Sequence, residues 1–285
     1  MAAMAGIPAL ALRPGAVDSL TIMHTNDTHS RLDPYPINDP NYPGMGGYAR
    51  RATLVRRLRE QDPNLLLLDA GDIFQGTPYF NMYGGEPELK LMSKMGYDAA
   101  AFGNHEFDNG MDGFARVSPY ANFPFLAANY DFSRTILADK VGDYKVIRKG
   151  GRKVGIYGIG INPQGLVSKN LYEGMVFLDP IAKAREMESK LITMDCDLII
   201  CLSHLGLYYQ DERPSDVMLA RYTRYTDIIV GGHTHNLLDP PRREENMDGR
   251  TVTIGQAGYG GTYAGIMQVR FNGENNFVEP YTTKV

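Results

Sequence analysis

Along the chain, short apolar runs are followed at once by polar, glycine-rich clusters. Residues 20–23 lead into His24-Thr25-Asn26-Asp27-Thr28-His29, and residues 65–68 into Asp69-Ala70-Gly71-Asp72. Residues 98–102 lead into Gly103-Asn104-His105-Glu106, 198–202 into Ser203-His204, and 228–230 into Gly231-Gly232-His233-Thr234-His235. Runs this short and this continuously apolar read as strands buried on both faces. Helical candidates fall between them, over 48–60, 87–95, 109–117, 180–194 and 215–222. Pro180 behind Asp179 suits a capped helix start with proline at its first position.

The alternation of strand and helix predicts an α/β fold. The segments 145–148 and 153–159 flank Gly150-Gly151 and read as a hairpin. Residues 251–256 and 265–271 read as a later strand pair, so the sheets are expected to be mixed. The Pro-, Asn- and Gly-rich stretch 33–47 reads as a long surface loop beside the first cluster, and 240–249 as a second polar loop. With no internal repeat and no break in composition, the reading is one domain over 19–285, preceded by a small apolar leader, 1–18. That leader lacks the basic start of a secretory signal, and at its length it cannot cross a bilayer; it reads either as the remnant of a signal region or as a plain disordered leader.

Composition narrows this only modestly. A chain of 285 residues with 43% hydrophobic and 22% charged positions suits a soluble globular domain. A net charge of −4 argues against coating a nucleic-acid polymer, which needs a basic excess. Cys196 and Cys201, five apart around an apolar run, are expected on opposite faces of a strand and so as free, buried thiols.

The chemistry lies in where the metal-type side chains fall. Of six histidines, five (His29, His105, His204, His233, His235) lie past the first residue of these clusters, in the loops that follow strands, where α/β folds gather ligands at one sheet edge. Each cluster alone has an ordinary structural reading as a turn or a hydrogen-bonded histidine. Five in sequence do not.

The ordered strings Asp27-x-His29, Gly71-Asp72-x-x-x-Gly76, Gly103-Asn104-His105-Glu106, Ser203-His204 and Gly232-His233-Thr234-His235 resemble the calcineurin-like metallophosphoesterases. The fuller strings 24–30, 103–110 and 231–235 are similar to the catalytic domain of the 5′-nucleotidase/UDP-sugar hydrolase branch. The resemblance covers residues 20–271. It implies a four-layer α/β/β/α sandwich with mixed sheets, and two divalent metal ions. Asp27, His29 and His235 would bind the first and Asn104, His204 and His233 the second, with Asp72 shared. It also implies that His105, oriented by Asp108, acts on the phosphoryl group or leaving oxygen.

Two such ions clamp an in-line displacement and lower the pKa of a water between them. Mixed nitrogen and oxygen donors fit Mn, Zn, Fe or Co better than Ca or Mg. The implied substrates are 5′-nucleotides, related small phosphate esters or nucleotide-sugar pyrophosphates, and the implied location is periplasmic or secreted, with the cytoplasm as the alternative.

The branch carries a second, C-terminal domain with arginines for phosphate and an aromatic clamp. The chain ends at Val285, so a partner chain supplying that domain, or a different substrate, is expected. The alternatives are a thiosulfohydrolase-type enzyme of sulfur oxidation and a non-catalytic metal-binding subunit of a two-chain nucleotidase. Among the remaining features, Arg50, Arg51, Arg56, Arg57 and Arg59 read as a solvated helix face, Tyr79-Phe80 as packing, and Gln256 to Gly261 as a glycine turn near the metal face. Glu106 has no assigned role.

Overall fold

A computed structural model describes residues 15–272 and 276–285; positions 1–14 of the expected leader lie outside the described residues. The strands in chain order are β1 (Ser19–Thr25), β2 (Leu66–Asp69), β3 (Ala99–Ala101), β4 (Phe125–Leu126) and β5 (Tyr130–Asp131). They continue as β6 (Val141–Gly142), β7 (Tyr144–Lys149), β8 (Arg152–Gly160), β9 (Val176–Phe177) and β10 (Leu198–His204). The last are β11 (Ile228–Gly231), β12 (Arg242–Glu245), β13 (Thr251–Gly255), β14 (Tyr263–Phe271) and β15 (Asn276–Lys284). Helices are α1 (Tyr48–Gln61), α2 (Pro78–Tyr83), α3 (Glu86–Met95), α4 (Gly110–Val117), α5 (Pro180–Thr193) and α6 (Asp216–Tyr222).

Two large sheets form the body. The first runs β15-β14-β1-β2-β3-β4-β6 and the second β12-β13-β11-β10-β8-β7. In the first, β1, β2, β3, β4 and β6 are parallel, and the antiparallel β14 and β15 complete one edge. In the second, β8, β10, β11 and β13 are parallel between antiparallel edges β7 and β12. The expected mixed sandwich is therefore present.

Side-chain alternation builds the layers. On β10, Leu198, Ile200 and Leu202 face the core between the sheets, together with Leu20, Ile22, Leu66 and Leu68. Ile199 and Cys201 face the outer core under α5 and α6. Met23 and Leu67 face the opposite outer core, where Val55, Leu89, Met92 and Phe114 from α1, α3 and α4 pack. Strands buried on both faces explain why the runs carried no polar alternation.

Three expectations need correction. Strands β13 and β14 do not pair; they belong to different sheets, and the segment between them crosses from one sheet to the other. Its glycines serve that crossing rather than a hairpin. The expected loop 240–249 contains β12, a charged edge strand (Arg-Arg-Glu-Glu) whose lack of apolar residues hid it. Cys196 precedes β10 rather than lying in it, so both thiols, buried and not joined in a disulfide, face the same outer core.

The reading of the arginines on α1 is also partly overturned. Arg51 is fully buried, stacked on the Tyr48 ring at 4.3 Å and 3.5 Å from the Tyr97 hydroxyl. Arg59 donates to the carbonyls of Met95 and Gly96. Neither is a free solvated cation. A short helix the sequence did not announce, α2, buries Phe80 against Phe74, while Tyr79 donates to Asp33 at 2.7 Å.

Candidate metal centre

All five clusters lie at the C-terminal ends of parallel strands: Asp27 and His29 after β1, Asp72 after β2, Asn104 and His105 after β3, His204 ending β10, and His233 and His235 after β11. The first three belong to one sheet and the last two to the other, so the sandwich closes its two halves of the site at one end. Among the described residues, eight non-glycine positions have left-handed φ, and five of them are candidate ligands: Asp27, His29, Asp72, His233 and His235. Such backbone is strained for side-chain-bearing residues and persists only where its surroundings enforce it, as functional sites do.

Glycines make the close approach between loops feasible. A Cβ on Gly103 would strike the Asp72 carboxylate, and one on Gly232 would lie 2.8 Å from His204 Nδ1.

Two groups of donors converge. Asp27, His29 and His235 form one, and Asp72, His204 and His233 the other, with the donor atoms of each within 4.8 Å of one another. The His29 and His235 Nε2 atoms face each other at 3.2 Å, and His235 Nε2 lies 3.4 Å from Asp27 Oδ1. In the second group, His204 Nε2 is 2.9 Å from Asp72 Oδ2, and the Asn104 side-chain oxygen is 2.9 Å from His233 Nδ1. All seven expected ligands are thus gathered in one place. The backbone N–H of His233 donates to both oxygens of Asp27, at 3.0 and 3.1 Å, which ties the two groups together.

The donor set suits cations. His204 Nδ1 donates to the Ala70 carbonyl at 2.7 Å, which fixes the ring so that the buried Nε2 points at the cluster, towards Asp72. Electrostatics agree. Burial opposes a charged His204, yet the Asp72 and Asp27 carboxylates carry its pKa up to about 10 in the metal-free chain. Burial likewise opposes the Asp72 carboxylate, but the His204 charge holds it well below the usual range. Two buried carboxylates demand positive charge, which a proton supplies when no metal does. Burial and the His204 charge lower His233 to about 4, leaving it neutral.

Beside the donors, His105 Nδ1 is 2.7 Å from Asp108 Oδ2, and its ring centroid is 5.1 Å from that of His29. Burial works against its protonation, but the Asp108 hydrogen bond and the Asp72 charge raise its pKa to about 9.

Sequence reasoning missed Glu106. This buried carboxylate accepts backbone N–H groups from Gly103 at 2.6 Å, Asp72 at 3.0 Å and Ile73 at 2.8 Å. It clamps the loop bearing Asp72 to the loop bearing Asn104 and His105. Its place two residues after Asn104 was the available signal, but only the fold reveals which N–H groups it meets. Gln256 does similar work, donating to Gly232 O at 2.7 Å and accepting from Asn236 N.

Residues 20–237 match the family model described as calcineurin-like phosphoesterase. The chain is 37% identical over 291 residues to a snake venom 5′-nucleotidase of Gloydius brevicauda, covering 95% of this chain and 48% of that protein. It is 37% identical over 286 residues to 5′-nucleotidase of Rattus norvegicus, covering 92% and 48%. The solved structure of a 5′-nucleotidase precursor from Thermus thermophilus superposes with a TM-score of 0.85 at 36% identity, over 94% of this chain and 54% of that one. The chain therefore spans about half the length of these relatives. It belongs to the calcineurin-like phosphoesterases, and its domain is homologous to the catalytic domain of the 5′-nucleotidase/UDP-sugar hydrolase family.

Proposed function

We propose that the chain is a dinuclear-metal phosphohydrolase that releases phosphate from 5′-nucleotides or related small phosphate esters, nucleotide-sugar pyrophosphates included. The observation that carries this reading is the convergence of seven nitrogen and oxygen donors beside the His105–Asp108 pair. In it, Asp27, His29 and His235 hold one ion, Asn104, His204 and His233 the other, and Asp72 belongs to both. The ions, when bound, supply Lewis-acid charge and an activated water; the donor set favours Mn, Zn, Fe or Co.

The chain's own residues do the rest. Asp108 orients the His105 ring through Nδ1 and raises its basicity, so that Nε2 can donate to a phosphoryl or leaving-group oxygen. Glu106 and the backbone N–H of His233 hold the loops in register so that donors from both sheets meet. A periplasmic or secreted location is part of the same proposal and rests on the family resemblance; among the described residues no helix is long and apolar enough to cross a membrane.

The test is Mn²⁺-dependent phosphate release from 5′-AMP and p-nitrophenyl phosphate, with a chelator control. Chelator-sensitive release favouring AMP supports nucleotide recognition by this stretch alone. Release from p-nitrophenyl phosphate only would assign nucleotide selection to a further region or a partner chain. Silence on both would overturn the phosphoester reading and favour the sulfur-compound enzyme or the non-catalytic subunit.

A further inference from the structure

Among the described residues, Tyr259 contributes the one ring other than histidine that packs against the candidate ligands. Its centroid lies 4.9 Å from that of His29 and 4.6 Å from that of His235, tilted by 39° and 43°. The ring is half-buried.

The surrounding loop holds it there. Ala257 N donates to Asn26 Oδ1 at 2.7 Å, Asn26 Nδ2 to Gly258 O at 3.0 Å, and Gly260 N to Asp27 O at 2.8 Å. Thr262 Oγ1 closes the turn onto Tyr259 O at 2.8 Å. Gly260 and Gly261 take left-handed φ of 63° and 62°, and a Cβ on either would strike Tyr35 or Arg51. The loop is bonded to the residues flanking and including ligand Asp27, so the ring is fixed relative to the metal centre. The ring packs on two imidazoles of the candidate ligands and is only half-buried there.

We propose that Tyr259 is a specificity-determining residue, an aromatic platform that contacts a planar ring in the organic half of the substrate. This rests on the phosphoester reading above and adds a recognition element within this stretch of chain. The ring face, rather than the hydroxyl, carries the selectivity, because the imidazole contacts fix the ring plane.

Phenylphosphonate and methylphosphonate share a phosphoryl head and differ in the ring, and neither is hydrolysed. Their binding to the Mn²⁺-loaded protein, by calorimetry, reads the platform without turnover. Wild type should prefer phenylphosphonate about tenfold, the scale of one ring–ring contact. Tyr259→Ala should erase that preference and Tyr259→Phe should keep it. Equal affinity for the two phosphonates in wild type, an unchanged preference in Tyr259→Ala, or its loss in Tyr259→Phe would each overturn the assignment. Failure of AMP and p-nitrophenyl phosphate hydrolysis together with a retained, Tyr259-dependent preference would reject the hydrolase and keep the platform.

Discussion

Replacing Glu106 by glutamine changes one oxygen into an amide nitrogen inside a fully enclosed hydrogen-bond arrangement. In the native chain Oε2 accepts from Asp72 N and Gly103 N, and Oε1 from Ile73 N. The glutamine side chain keeps one acceptor oxygen, so its amide group must face at least one of these N–H groups, donor against donor. Leaving a buried donor unmatched costs about 1–3 kcal/mol, so urea unfolding of the metal-free Glu106→Gln variant should show a loss of about 2 kcal/mol.

The functional consequence is of comparable size. The clamped loops carry Asp72, Asn104 and His105, and His105 N itself donates to Asp72 Oδ1 at 2.9 Å. Losing a partner directly behind the ligands weakens metal binding by about 10- to 100-fold. Competition titration against a chelator, with metal counted by elemental analysis, measures this directly. A variant destabilised by about 2 kcal/mol yet binding metal as tightly as wild type would refute the clamp and reduce Glu106 to a structural staple.

His105→Ala should lower turnover by about 100-fold or more while metal content stays at the wild-type level, the usual scale for an acid–base residue; unaltered turnover would remove it from the mechanism. Asp72→Ala should abolish activity and lower metal occupancy at both positions, and full occupancy by elemental analysis would sink the shared-ligand assignment. His24, the sixth histidine, is buried against Gly255 and Gly265, and burial lowers its pKa to about 4. Its neutral form therefore favours the fold above its unfolded pKa of 6.5, and that contribution, about 3 kcal/mol, is lost as pH falls from 6.5 towards 4. Urea unfolding of metal-free wild type and His24→Gln across that range should show a shallower pH slope in the variant; parallel slopes would contradict it.

Much of the site was legible because its residues must stand next to strand ends. The apolar runs before Asp27, Asp72, Asn104, His204 and His233 mark both the strand and the loop that follows, so one pattern located sheet and ligands together. Less legible were features whose partners are distant in sequence. Arg51 looks like its exposed neighbours on α1 until the fold places Tyr97 beside it. Glu106 meets Asp72 and Ile73 from more than thirty residues away. The short strands β4, β5, β6 and β9, two residues each, are too brief for any periodicity. The crossing from β13 to β14 shows the other limit: a glycine-rich turn between two strands does not reveal whether they share a sheet.

The most direct test of the central claim is phosphate release from p-nitrophenyl phosphate followed as metal-free protein is titrated with Mn²⁺, with bound metal counted at each point. Two sets of converging donors should make activity rise until two equivalents are bound and then level off. Saturation at one equivalent, or no release at any loading, would contradict a dinuclear phosphoesterase.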